Sequence, residues 1–185
     1  NPVRVISVSF GGDGVCTPYQ ATINELRALG VVIVAAAGND HTTPSRPAKC
    51  PGVIGVPALN RDGFKSNYSN FGPELTASGI ATVGGDDVDS DSRWNALSDS
   101  GLLSLGNSGT TVPQANDYYY YYGTSFSAPQ VAGAISLMLS VKADLTYDQI
   151  VAGLKASARP HVTSPIAGFG TCSQSNPGRC LCTAQ

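Results

Sequence analysis

The sequence predicts an α/β fold with a mostly parallel sheet flanked by helices, and three observations carry that prediction. Residues 3–9 (VRVISVS) and 31–36 (VVIVAA) are short runs of β-branched and apolar side chains, as strands buried on both faces require. A helix-length segment joins them, and a strand–helix–strand unit of this size implies parallel pairing through a right-handed crossover. Residues 125–141 are rich in Ala and Gly with apolar residues nearly all round, the composition of a helix buried through the middle of a protein.

The elements follow in order. Gly11 and Gly12 end the first strand. Thr17-Pro18-Tyr19-Gln20 reads as a capping box with proline at the first helical position, and Ala21, Ile23, Leu26 and Leu29 follow at close to helical spacing. Gly30 supplies the stop. Residues 53–59 (VIGVPAL) form a further strand, 102–105 another, and 107–117 a polar loop containing Gly and Pro. An unbroken tyrosine run, 118–122, delivers the chain to Gly123; alternation along it would bury some rings and leave others at the surface. Thr146-Tyr147-Asp148-Gln149 is a second capping box, opening a helix that runs to about Ser157. After Pro160 the chain reads as an irregular, Cys-containing tail.

With 185 residues, 42% hydrophobic and only 13% charged, the chain can bury one sizeable core and is expected to be a single domain or part of one. Eleven basic residues against thirteen acidic ones, with no basic cluster, argue against nucleic acid or an anionic membrane as partner. No apolar run reaches the roughly 18 residues that span a bilayer. Five cysteines suit an oxidising compartment and structural disulfides, hence a secreted or extracellular protein, with the periplasm or cell surface as variants of that setting. Cys16 and Cys50 fall in loops at the same end of neighbouring strands and are expected to pair. Closing such a loop contributes about 3–4 kcal/mol through chain entropy. Cys172–Cys180 is the preferred second bridge, which leaves Cys182 without a partner in the chain. Cys180-Leu181-Cys182 lacks the second pair and nearby His cluster of a zinc site.

The chemistry is expected at Gly123-Thr124-Ser125-Phe126-Ser127-Ala128-Pro129. A serine where a loop becomes a helix sits among backbone N–H groups with no intrahelical acceptor, at the positive end of the helix dipole. A helix cap needs no more than this. An oxygen nucleophile attacking a carbonyl also needs it, because negative charge develops on oxygen in the transition state. Together with Ser9-Phe10-Gly11-Gly12 and Ala35-Ala36-Ala37-Gly38-Asn39, in that order along the chain, the segment resembles the subtilisin-like serine proteases (subtilases).

The resemblance covers nearly all of residues 3–160 and implies a three-layer subtilisin-like fold. It makes Ser125 the nucleophile of a serine endopeptidase and Asn39 the side-chain donor of its oxyanion hole. Ser9, Phe10 and Gly11 would pair with the substrate backbone as an added strand, and Ala36, Ala37 and Gly38 would line one wall of the specificity pocket. It also makes Arg46–Pro47 a candidate cis bond and residues 66–70, 72–75 and 77–83 short structural strands and turns. The chemistry requires no cofactor. Asp87, Asp89 and Asp91 begin like a calcium loop, but Ser92 replaces the turn glycine and Ser98 the bidentate glutamate; structural calcium and a solvated acidic loop are the two readings.

One departure matters. The family order is Asp, His, Ser, and nothing before Ser125 resembles its aspartate or histidine motif. His41 and His161 read as solvated loop histidines, and Asp13 lies in the substrate-strand turn. The triad's His and Asp are therefore expected upstream of residue 1, the chain being the later portion of a catalytic domain. Polypeptides would be its substrates and the earlier portion of that domain its partner. The alternative is a non-catalytic binding or assembly module derived from a subtilase. An α/β-hydrolase is weaker, since its elbow needs G-x-S-x-G and here Ser127-Ala128 follow Phe126.

Overall fold

The computed structural model of the chain describes residues 2–61, 63–86 and 101–159, and the backbone of 170–171 and 180–181. Its centre is a parallel sheet of β1 (Val5–Val8), β2 (Val32–Ala36) and β3 (Val53–Val56), in that spatial order. Val5 pairs with Val32 and Ile33 with Val53. The middle strand, β2, is buried along its whole length. Its side chains alternate. Val32, Val34 and Ala36 join Ile54 and Val56 against Ala128, Val131, Ala132, Ile135 and Leu139 of helix α2 (Thr124–Val141) and Ile150 of helix α3 (Tyr147–Ser157). Ile33, Ala35 and Val53 face the other way, against Ile23 of helix α1 (Thr17–Ala28), with Ala48 and Cys50. Helices on both faces of one sheet give the three layers that the sequence predicts.

Several local expectations hold. The Thr146 box is complete: its Oγ1 accepts from Gln149 N at 3.3 Å, and Gln149 Oε1 accepts from Thr146 N at 3.0 Å. Cys16 and Cys50 form a disulfide with their Cα atoms 5.4 Å apart, and the Arg46–Pro47 bond is cis. Arg4 ties two layers together, its Nε donating to Gly30 O at 3.0 Å and its Nη1 to Ala143 O at 2.7 Å.

Others are corrected. The Thr17–Gln20 capping box does not form. Cys16 is the N-cap, held by its bridge to Cys50, so Thr17 already lies within the helix. Gln20 Nε2 reaches instead to Asn24 Oδ1 and Pro51 O. The strand expected over residues 53–59 breaks at Pro57, which has no N–H to donate to the ladder. Beyond it β4 (Ala58–Leu59) changes partner and pairs in parallel with β5 (Thr82–Val83). Helix α2 is not enclosed all round: the face carrying Gly133, Ala134, Leu137 and Val141 is exposed, Leu137 by 71% and Val141 by 90%. The sheet uses only the 128, 131, 132, 135, 139 stripe, and the rest of the helix is left to solvent in this chain.

The tyrosine run lies in an antiparallel hairpin of β6 (Leu102–Asn107) and β7 (Asn116–Tyr121). The acidic residues Asp87, Asp89 and Asp91, His161, Cys172, Cys182 and the side chain of Cys180, and with them the expected Cys172–Cys180 bridge, lie outside the described residues. Among those described, no helix is long and apolar enough to cross a membrane.

Candidate active site

Ser125 stands in the first turn of α2, after Gly123 as N-cap. Gly123 has φ +142°, a backbone state natural only to glycine, and so the chain can swing from β7 into the helix there. Ser125 is half-buried, and its Oγ donates to Ser9 O at 3.0 Å. In return Ser9 Oγ donates to Ser125 O at 2.9 Å. That carbonyl is available because of Pro129, four residues on: proline has no N–H, so the helical bond that would occupy Ser125 O is never made. A helix-interior proline thus frees the acceptor that locks the end of β1 onto the serine turn.

Asn39 follows the end of β2 and is exposed. Its Oδ1 accepts from Thr124 N at 3.0 Å and from Thr124 Oγ1 at 2.8 Å, and Thr124 Oγ1 accepts from Gly38 N at 3.1 Å. One helix-terminal N–H is satisfied, and the amide oxygen is committed, which fixes which way the amide faces. Its Nδ2 turns toward the serine turn. A carbon attached to Gly123 Cα would lie 3.3 Å from Asn39 Nδ2 and 3.8 Å from Ser125 N, so two nitrogen donors border one small space. The strand-end amide and the helix-start serine are brought together, through Thr124.

The remaining expected residues are placed as follows. Ser9, Phe10 and Gly11 are exposed beyond β1, Phe10 by 76%. A Cβ added to Gly11 would lie 2.8 Å from Arg46 O and 3.1 Å from Ser45 Cβ. Gly12 N donates to Arg46 O at 3.1 Å and Arg46 N to Gly12 O at 3.0 Å. Ala36 packs into the core beneath α2, Ala37 is fully enclosed, and Gly38 (φ +109°) leads out to Asn39. Asn70 secures that turn: it is fully buried, its Oδ1 accepts from Asp40 N at 2.8 Å and Thr42 N at 3.1 Å, and its Nδ2 donates to Ala37 O at 3.2 Å. His41 adopts a left-handed conformation (φ +55°), its N–H donating to Tyr68 O at 3.1 Å.

Sequence reasoning missed Thr124, Asn70, Tyr68 and the reason for Pro129. Thr124 and Pro129 lie inside the quoted motif, and the signal was present as residue types. What they bond could be read only from the fold.

The model of the subtilase family matches residues 1–171 of the chain. The chain belongs to the subtilase family. It is 40% identical over 176 residues to an extracellular protease of Xanthomonas campestris pv. campestris, covering 92% of this chain and 27% of that protein. It is 32% identical over 143 residues to an extracellular basic protease of Dichelobacter nodosus, covering 76% of this chain and 21% of that one. A solved protease structure from Pseudoalteromonas arctica superposes with a TM-score of 0.75 at 35% identity, over 99% of this chain and 48% of that one. The fold is therefore subtilisin-like, and the chain spans between about a fifth and a half of the lengths of these relatives.

Burial acts on one charged group near the site. Lys65 is lowered to about 8, chiefly because burial disfavours its charge, with the Asp86 carboxylate opposing the shift.

Proposed function

We propose that the chain is the later portion of the catalytic domain of a secreted, subtilisin-like serine endopeptidase, with Ser125 as nucleophile. The extracellular relatives and the disulfide support the secreted setting. The observation that carries the site reading is the Thr124–Asn39 pairing, which commits the amide oxygen and leaves Nδ2 beside the serine turn.

In this reading Ser125 Oγ attacks a peptide carbonyl and an acyl-enzyme forms on it. Ser125 N–H and Asn39 Nδ2 donate to the oxygen as it becomes negative. A neutral amide suits that task, since it needs no shifted pKa to donate. The general base takes the hydroxyl proton and returns it to the leaving amine, with an aspartate orienting it. Both come from sequence preceding residue 1. In the present structure the hydroxyl donates to a carbonyl, Ser9 O, and the base would take over that proton. Residues Ser9, Phe10 and Gly11 would offer backbone groups to an extended substrate, glycine letting it approach closely. The wall at Gly38 would border the side chain of the residue before the scissile bond. No cofactor enters the reaction, and calcium on the 87–91 aspartates would be structural.

The test uses the full-length protein. Ser125→Ala should abolish labelling by a fluorophosphonate, whereas Asn39→Ala should keep labelling and slow turnover. Loss of this donor in a subtilisin, a family value rather than one obtained for this chain, lowers kcat about 10²–10³-fold. Equal labelling of wild type and Ser125→Ala would overturn the assignment and favour the non-catalytic module.

A further inference from the structure

Tyr68 bonds both halves of the candidate site. Its phenol oxygen accepts from Gly123 N at 2.8 Å, two residues before Ser125. Its carbonyl accepts from His41 N at 3.1 Å, two residues after Asn39. The phenol lies within 2.8 Å of both Gly84 O and Gly85 O, to which its proton is donated. With 5% of its surface exposed, the residue is enclosed and presents nothing to a substrate.

We propose that Tyr68 is a positioning residue, its hydroxyl setting the Gly123 turn so that Ser125 N and Asn39 Nδ2 converge on the oxyanion. The proposal rests on the reading of Ser125 as nucleophile. Gly123 is the weak link in that geometry. It has no side chain to pack, and its positive φ belongs to the residue type with the widest conformational freedom. Only bonds to its backbone can hold it, and its N–H has two acceptors, Tyr68 Oη and Gly84 O at 2.9 Å.

Tyr68 is itself held firmly enough to serve. Its ring packs on Tyr122 with centroids 5.6 Å apart. The turn that carries it is drawn together by Lys65, whose Nζ donates to Ser66 O at 2.8 Å, Ser69 O at 3.0 Å and Asn67 O at 3.3 Å. Asp86 Oδ1 accepts from Asn67 N at 2.9 Å and pins the same turn to the chain beyond β5. Thr124, between Gly123 and Ser125, is tied to the same amide by two bonds, so a change in the Gly123 turn would be passed through Thr124 to the spacing of Ser125 N and Asn39 Nδ2. Such an error weakens transition-state binding while leaving ground-state binding alone.

In the full-length protein, Tyr68→Phe keeps the ring and its packing and removes one oxygen atom. Fluorophosphonate titration first counts competent sites, so that kcat refers only to folded enzyme. We expect kcat per labelled site to fall about tenfold, KM for a peptide amide to stay within about twofold, and Ki for a peptide aldehyde to rise about tenfold. The aldehyde adduct carries its oxygen where the oxyanion forms, so it reports on the two donors directly. A fall in the number of labelled sites with unchanged kcat per site would mean that the phenol only stabilises the fold, and would overturn the proposal. Should Tyr68→Phe yield no labelled enzyme, Lys65→Met supplies the second arm. Loosening the turn should lower kcat per labelled site with KM unchanged, and a wild-type kcat there overturns the proposal. Persistent labelling of Ser125→Ala in the same background would instead sink the nucleophile assignment on which the proposal stands.

Discussion

The central sheet and the β6–β7 hairpin are both rich in large apolar residues, yet they use them in opposite ways. In β2 and β3 the aliphatic side chains alternate between two helical layers and are sealed on both faces. In the hairpin, cross-strand pairs put Leu103 opposite Tyr120 and Leu105 opposite Tyr118. All four of those side chains are exposed, Leu105 by 74%. The hairpin's other face carries a short aromatic series that is only partly covered: Tyr119, itself exposed, meets Tyr121 edge-on at 6.4 Å, and the half-buried Tyr121 stacks on Phe126 at 5.2 Å. Apolar composition therefore does not locate the core. Covering layers do, and the sheet has two where the hairpin has one, in the region that leads into the serine turn.

The comparison can be broken first at its strong side. Ile135 is fully enclosed between β2, β3 and α3. Ile135→Ala in the full-length protein should cost about 2–5 kcal/mol by denaturant melting, through lost burial and the cavity left behind. A cost below about 1 kcal/mol would mean that α2 is held by something other than the sheet.

A second measurement addresses charge rather than packing. The folded pKa of Lys65, about 8, lies below its ordinary value of 10.5, so between those pH values the unfolded chain binds more protons than the native one. Stability from this group is then fully present above pH 10.5 and lost as pH falls through about 8. The stability difference between wild type and Lys65→Met should therefore move in favour of wild type as pH rises from 8 to 10. The full span corresponds to about 3 kcal/mol. A pH-independent difference would mean that the three carbonyls and Asp86 compensate the ammonium completely.

The smallest effect is expected on the hairpin's outer face. Leu105→Ser should change stability by less than about 0.5 kcal/mol and leave turnover per labelled site unaltered. A larger loss would show that this face is covered in the full-length protein, and the contrast with the sheet would then shrink.

Much of the site could be read before the fold was known, because its parts are local. A β-branched run ending in Ala-Ala-Gly-Asn and a helix opening on Gly-Thr-Ser announce a strand-end amide and a helix-start serine by residue type alone. The Thr146 box was equally legible, since both its bonds lie within four residues. The Thr17 box failed for a non-local reason: Cys16 is bridged to Cys50, and Gln20 found a better acceptor in Pro51 O, 31 residues away. Tyr68 was hidden in the same way. Nothing near it in sequence says that its hydroxyl meets Gly123, 55 residues on.

By itself the sequence determined the parallel βαβ unit, the helix that carries Ser125, the Cys16–Cys50 pairing and the residue types of the site. Periodicity, capping and chain connectivity act over a few residues or one crossover. Only the tertiary structure decided which face of α2 is buried, where the 53–59 strand changes partner, and which side chains hold Gly123 and Asn39 in place. Those outcomes depend on hydrogen-bond donors and acceptors meeting across 30 to 116 residues of chain. A buried polar group takes whichever partner the packing brings to it.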